Sequence, residues 1–437
     1  MTKQKTKSST APHPNSPQLR FPEFEGAWEK RKLGEVILSI ESGTSVNSID
    51  EPVFDKTDYA ILKTSCISKG EFFPNENKKI IDSELSRAIL NPTEDSILVS
   101  RMNTPQLVGE NGYIDKYYSN LFIPDRLWLL KTCPDQSAKF LNFILTTSKI
   151  RTIISNIATG TSNSMKNISQ QNYLSIESYF PIKSEQTKIA TFLTAVDEKI
   201  QALKKKKTLL ESYKKGVMQQ LFPSTHTGPN PRLRFKISND KGELVTGPDW
   251  EVRKLGEGAI RKSLKNKEDN KNVLTISAQF GLISQTDFFN KSVSAKDLTG
   301  YYLLERGDFA YNKSYSNGYP MGAIKCLNRY DKGVVSTLYI CFRFNETINN
   351  SFMEQYFETG IQNIEIEKVA QEGARNHGLL NVGVDDFFSI DIYLPTLPEQ
   401  TRIAQFLSAL DEKINQMQGQ IEKTEAWKKG VVQRMFL

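Results

Sequence analysis

Residues Glu185–Phe222 read EQTKIATFLTAVDEKIQALKKKKTLLESYKKGVMQQLF. Ile189, Val196, Leu203, Leu210 and Val217 recur every seven residues, and Phe192, Leu193, Ile200, Tyr213 and Leu221 fill a second row beside them. No proline interrupts the run and its one glycine is Gly216, so the spacing predicts a single helix carrying one apolar stripe. At 1.5 Å per residue such a helix is roughly 55 Å long. A stripe of that length has to be covered by a partner helix.

The chain supplies one near its end. Glu399 to Ile414, EQTRIAQFLSALDEKI, matches Glu185 to Ile200 at 12 of 16 positions with an offset of 214. Ile403, Leu410, Met417, Thr424 and Val431 keep the heptad phase, and Phe406 stands where Phe192 does. Lys214-Lys215-Gly216-Val217 has its counterpart in Lys428-Lys429-Gly430-Val431. A second repeated pair opens each half. Trp28 and Arg31-Lys32-Leu33-Gly34-Glu35 match Trp250 and Arg253-Lys254-Leu255-Gly256-Glu257 at an offset of 222. Just before them stand Leu19-Arg20-Phe21 and Leu233-Arg234-Phe235. The chain is a tandem duplication of one unit of roughly 215 residues.

Between these flanks the halves diverge but keep the same mixture. In the first, Ala60-Ile61-Leu62, Ser96-Ile97-Leu98-Val99 and Leu127-Trp128-Leu129-Leu130 read as strands, and Phe140 to Leu145 as helix. In the second, Asn272 to Ile276, Asp308 to Tyr311 and Ser336 to Phe342 read as strands, and Phe352 to Phe357 as helix. The fold class is therefore α+β, with two similar globules joined by two long helices that pair as an antiparallel coiled coil about an approximate twofold axis. The expected divisions are a disordered tail 1–18, a first globule 19–180, a long helix 181–222 and a linker 223–249. A second globule 250–394 and a second long helix 395–437 follow. Pro181 and Pro395 end extended segments before the two helices.

Composition excludes several classes. No apolar run approaches the ~20 residues that span a bilayer, and the polar N-terminus has no secretion signal, so a cytoplasmic protein with no membrane partner is expected. Cys66, Cys133, Cys326 and Cys341 are scattered without CxxC spacing, which suits idle thiols rather than a metal site or a disulfide. The net charge of +7 points mildly to a polyanion. However, 185–222 hold 8 Lys against 4 acids and 399–437 hold 6 Lys and Arg against 5 acids, so the helices account for +5 of the +7.

Catalytic patterns are missing. Asn91-Pro92-Thr93 lacks the second proline and aromatic of a methyltransferase motif, and there is no GxGxxG or Walker sequence. Glu365-Ile366-Glu367-Lys368 reads as the solvated face of an amphipathic helix, and His13, His226 and His377 are too dispersed for a triad or a metal site. Two globules related by a pseudo-twofold suit a DNA reader with two unlike half-sites. A scaffold or adaptor built on a coiled coil, with protein-binding globules, fits the residue pattern equally well.

The duplicated pattern resembles the specificity subunit of type I restriction-modification enzymes, from residue 19 to 437. The resemblance rests on WEKRKLGEV and WEVRKLGEG at the unit starts, on the matching helix openings after Pro181 and Pro395, and on Tyr311-Asn312-Lys313-Ser314-Tyr315. It implies two target-recognition domains separated by two conserved helices, reading a bipartite asymmetric site in double-stranded DNA. It further implies two methyltransferase subunits and two restriction subunits as partners. On that resemblance the chain has no catalytic site, cofactor or metal of its own. S-adenosylmethionine, with ATP and magnesium for restriction, belongs to the partner subunits.

Base edges are read by Arg, Lys, Asn, Gln, Ser or Thr on exposed loops. In the first globule the candidates are Arg101, Asn103 and Thr104 in Ser100–Thr104, and Ser162, Asn163 and Lys166 in Ser162–Asn167. In the second they are Asn312, Lys313, Ser314, Tyr315 and Asn317, with Arg375 and Asn376 beside His377. Lys63-Thr64-Ser65 is a lesser candidate, and Lys204 to Lys207 read as a solvated helix face.

Overall fold

The computed structural model describes residues 15–55, 57–162, 165–223, 228–277, 281–289, 297–316, 318–370 and 380–437. They form two compact units, one of residues 1–203 with 420–437 and one of 204–419. Both long helices form as single elements, Lys183–Leu221 and Leu397–Met435. The division falls within them, so each unit contains the start of one helix and the end of the other.

The first unit is built on an antiparallel sheet in the order Asn111–Ile114, Ser96–Ser100, Leu127–Thr132, Ile37–Ser42. Its second strand, Ser96–Ser100, is buried along its whole length. Trp28, Val36, Phe140, Leu141 and Leu145 fill the core on the face toward helix Ala138–Thr146. Ala60, Leu62, Leu98, Leu127 and Leu129 fill a second core that includes strand Ala60–Leu62 of a smaller sheet.

The second unit repeats the frame in the order Ala323–Cys326, Phe309–Asn312, Ile340–Phe344, Ala259–Arg261. Corresponding strand pairs share their register. Val99 faces Trp128 and Tyr311 faces Ile340, both 212 residues on. Helix Asn350–Glu358 stands where Ala138–Thr146 does. The duplication therefore persists in backbone pairing through the region where side chains have diverged. Ser336 to Tyr339, expected as strand, instead turn into the strand Ile340–Phe344.

The long helices explain the repeated fragments. Within the first unit Asp197 pairs with Lys428, and within the second Asp411 pairs with Lys214 at 2.6 Å. The first residues of each helix thus lie beside the last residues of the other, so the two segments in each unit run antiparallel. Ile189, Ile403 and Val431 are fully covered, Val196 and Leu410 nearly so, and Phe192 and Phe406 pack against the same cores. Leu203, Leu210 and Met417 are only half-buried, because they lie beyond the cover of the sheet-and-helix cores. Tyr213, assigned to the second apolar row, is 54% exposed.

In the segment 223–249, expected as a linker, residues 228–249 hold internal contacts. Arg234 grips Glu399 through Nε–Oε1 at 3.0 Å and Nη2–Oε2 at 2.5 Å, and Lys236–Ser238 pairs with Leu244–Thr246. Arg20 holds Glu185 identically, at 2.8 and 2.7 Å. In the N-terminal tail, residues 1–14 lie outside the described residues, and Asn15 O accepts the Trp28 N–H at 2.8 Å.

Candidate nucleic-acid interface

Each unit presents its described candidate residues at one end of its main sheet. In the first, Ser96–Ser100 leads into Arg101 and then into the short strand Met102–Asn103. That strand pairs with Met165–Asn167, which pairs with Thr159–Ser162. The two loops named from sequence thus contribute neighbouring strands, Met102–Asn103 and Met165–Asn167, to one three-stranded sheet, with Lys166 opposite Asn103.

Arg101 is fixed through its backbone, its N–H donating to Arg126 O at 3.1 Å and its O accepting from Ile168 N at 3.0 Å. Its guanidinium lies 6.0 Å from the Trp128 ring centre, and its buried Nε has no hydrogen-bond partner among the described residues. Held by stacking, the guanidinium keeps its two terminal nitrogens for an incoming acceptor. Asn103 turns inward, with Nδ2 donating to Ser100 Oγ at 3.2 Å and Oδ1 accepting from Thr104 N at 2.8 Å. Lys166 Nζ donates only to Gly160 O, at 3.2 Å on an exposed edge, and Thr104 is exposed. Asn103 therefore shapes the loop, while Arg101, Thr104 and Lys166 remain able to contact a ligand.

The second unit places Asn312 and Lys313 at the same position. Lys313 O accepts from Leu380 N at 3.0 Å, the counterpart of the Arg101–Ile168 bond at an offset of 212 for both partners. Lys313 Nζ donates to Val382 O at 3.3 Å, and Asn312 Oδ1 accepts from Ser314 N at 3.1 Å. Tyr315 is 66% exposed. Asn163, Asn317, Arg375 and Asn376 lie outside the described residues, and Ser162 is described by its backbone, which ends its strand opposite Met165.

Lys63-Thr64-Ser65 is engaged internally. Lys63 pairs with Asp50 at 3.3 Å and Ser65 Oγ donates to Glu76 at 2.7 Å, which neutralises the group as a reader. Clefts at corresponding places, lined by Thr194, Asp197 and Glu198 in one unit and by Ser408, Asp411 and Glu412 in the other, each carry four carboxylates. Against them stand two cations in the first cleft and three in the second, so both linings are net acidic and ill-suited to a polyanion.

Sequence reasoning missed Arg126. It is exposed just before strand Leu127–Thr132, adjoins Arg101 through the backbone bond, and its side chain forms no ion pair among the described residues. Its cation in a Pro-Asp turn ahead of an apolar strand was the available signal. Also missed were the supports. Gln186 Oε1 accepts from Ser137 N at 3.0 Å and Gln400 Oε1 from Asn349 N at 2.8 Å, which orients the N-cap of each unit's core helix. The repeated Glu-Gln pair at both helix openings was the visible trace of that duty.

A family model described as type I restriction modification DNA specificity domain matches residues 25–212 and again 248–426. The type I restriction enzyme EcoEI specificity subunit of Escherichia coli is 28% identical over 163 residues, which is 37% of this chain and 27% of that protein. A protein named as a candidate type I restriction enzyme specificity subunit, MjaX of Methanocaldococcus jannaschii, is 25% identical over 442 residues, 96% of this chain and 95% of its own length. The crystal structure of the type I restriction-modification S subunit from M. genitalium shares the fold, with a TM-score of 0.56 at 16% identity. That match covers 97% of this chain and 99% of the other.

Proposed function

Because the chain belongs to the type I restriction-modification DNA specificity domain family, we propose that it is the subunit that chooses the DNA sequence on which a type I complex acts. Each unit reads one half of a bipartite, asymmetric target in double-stranded DNA. The other subunits of the complex carry out adenine methylation and cleavage. The observation that supports this best is the equivalence of Arg101 and Lys313. Two cations occupy the same place on two copies of one frame, set by the same backbone bond, yet they differ in side chain and surroundings. Same placement with different chemistry is what an asymmetric two-part target requires.

In this role Arg101, with free donors in a planar fork, suits a guanine edge or a phosphate, whereas Lys313 offers a point charge. The chain performs no bond-breaking step. We assign two methyltransferase subunits and two restriction subunits to the assembly. S-adenosylmethionine, ATP and magnesium are held by those partners, consistent with the absence of a glycine-rich nucleotide loop from this sequence.

The test is to reconstitute the chain with its methyltransferase subunits and map the methylated motif. Replacing residues 36–180 by another recognition domain should alter one half of the motif and leave the other intact. Alteration of both halves, or of neither, would defeat the two-reader assignment.

A further inference from the structure

We propose that the second unit grips the DNA backbone with a basic edge, Arg261, Lys262 and Lys267, that the first unit lacks; the inference rests on the DNA-reading role above. Strand Ala259–Arg261 lies at the edge of its sheet, beside Ile340–Phe344. On the other side of Ile340–Phe344 lies Phe309–Asn312, also antiparallel to it. Both flanking strands therefore run the same way and leave the sheet at the same end. Asn312-Lys313 leaves from one, and from the other comes Lys262, whose N–H donates to Cys341 O at 2.8 Å. Two strand spacings, about 10 Å together, and a stagger of two to three residues separate these exits, by roughly 12–14 Å in all. A duplex lying on Lys313 would meet the edge as well.

The charge is available. Arg261 and Lys267 are exposed and Lys262 is half-buried, and none of the three forms an ion pair among the described residues. The two acids that follow are already neutralised, Glu268 by Lys332 at 2.8 Å and Asp269 by Lys271 at 2.5 Å. The loop is also held in shape. Asn266 is 1% exposed; its Nδ2 donates to Asn270 O at 3.0 Å and Leu298 O at 3.3 Å, and its Oδ1 accepts from Asn270 N at 2.9 Å. Lys265 reaches Gly300 O at 2.7 Å with its ammonium 4.2 Å from the Tyr302 ring centre. Cations on a pinned loop lose little freedom when they meet phosphate, which favours binding.

The first unit differs at this place. Strand Ile37–Ser42 and the chain leaving it have no Lys or Arg through residue 55; they carry Glu41, Glu51 and Asp55, and an Asp50 that is paired with Lys63. The cations named at its interface lie elsewhere, Arg101 and Arg126 in turns beside Ser96–Ser100 and Leu127–Thr132 and Lys166 in Met165–Asn167. The two half-sites would therefore be gripped through different phosphates.

The experiment uses the full chain assembled with its methyltransferase subunits and a duplex carrying the methylated motif. Binding of wild type and of the triple variant R261Q/K262Q/K267Q is measured from about 50 to 200 mM KCl. The variant should bind at least tenfold more weakly at the low end, and its log K against log salt slope should be shallower by roughly 2–3, for about 0.9 per phosphate contact. Discrimination against mismatches in the second half-site should be unchanged. Methylphosphonate linkages in the second half-site should erase the difference between variant and wild type, and those in the first should preserve it. An unchanged slope in a wild type that still selects its target would overturn the inference, as would a loss confined to assembly with the partner subunits. A wild type without a bipartite target would instead defeat the DNA-reading role itself.

Discussion

Replacing Arg234 by alanine should loosen the second unit by about 3–5 kcal/mol, because it strands a carboxylate in the interior. The Glu399 side chain is 0% exposed and receives two charge-assisted hydrogen bonds from Arg234, whose own side chain is 12% exposed. Removing the guanidinium leaves that charge with neither water nor a counter-ion. The Trp250 Nε1, buried nearby in the same core, has no hydrogen-bond partner among the described residues, so nothing takes over. In the first unit Trp28 Nε1 does donate to Glu185 Oε1, at 3.3 Å. Arg20→Ala should therefore cost less than Arg234→Ala, by about 1 kcal/mol, the worth of one retained hydrogen bond. The assay is native-state hydrogen exchange, following helix Asn350–Glu358 in one unit and Ala138–Thr146 in the other. Adding Glu399→Gln to Arg234→Ala should recover part of the loss, since a neutral amide tolerates burial better. Lys332→Ala, which breaks an exposed pair with Glu268, serves as the control and should cost less than about 1 kcal/mol. If Arg234→Ala stays within that control, or the second substitution restores nothing, the pair does not anchor the unit.

Burial raises the Glu354 carboxyl from 4.5 to about 7 against a hydrogen bond from Asn328 that lowers it. The folded unit holds this proton where the unfolded chain has lost it, so stability from Glu354 is fully present below pH ~4.5 and is lost as pH rises through about 7. The loss is on the order of 3 kcal/mol, and Glu354→Gln should flatten that part of a urea-midpoint profile against pH. Gly322 sits at φ +77° with its absent Cβ 2.3 Å from Asn312 O. Gly322→Ala should therefore cost about 2 kcal/mol by thermal unfolding and weaken DNA binding through the displaced Asn312-Lys313 turn. Arg126→Ala should weaken all duplexes alike and reduce the salt slope by about 1 if it meets a phosphate, whereas Arg101→Ala should cost ~1–3 kcal/mol and relax one base position. No helix among the described residues is long and apolar enough to cross a membrane.

The long helices were legible because their heptad pattern is local: each apolar residue repeats at a fixed distance along one segment. The duplication was legible too, from Trp28 with Trp250 and from the two Glu-Gln helix openings. The short Leu-Arg-Phe fragments were visible as repeats, but their purpose was hidden. Arg20 meets Glu185 and Arg234 meets Glu399 across 165 residues of chain, and no local periodicity encodes such a meeting. A similar limit hid Arg234 within the linker 223–249, since Pro and Gly content reports backbone freedom and says nothing about which side chain finds Glu399.

Sequence likewise supplied the two loops around Arg101 and Lys166 as separate candidates, each polar and each following a regular element. Their union in one small sheet follows from the pairing of Asn103 with Lys166, which is set where strands from distant parts of the chain come into register. Arg126 escaped notice for that reason as well, since only its backbone bond to Arg101 brings it to the interface. Side-chain type and local period are written along the chain, so the helices, the repeat and the chemistry of the loops could be read from it. Which loop lies beside which, and which buried charge finds its partner, depends on contacts made across the fold, and these arise only once the two cores have closed around Glu185 and Glu399.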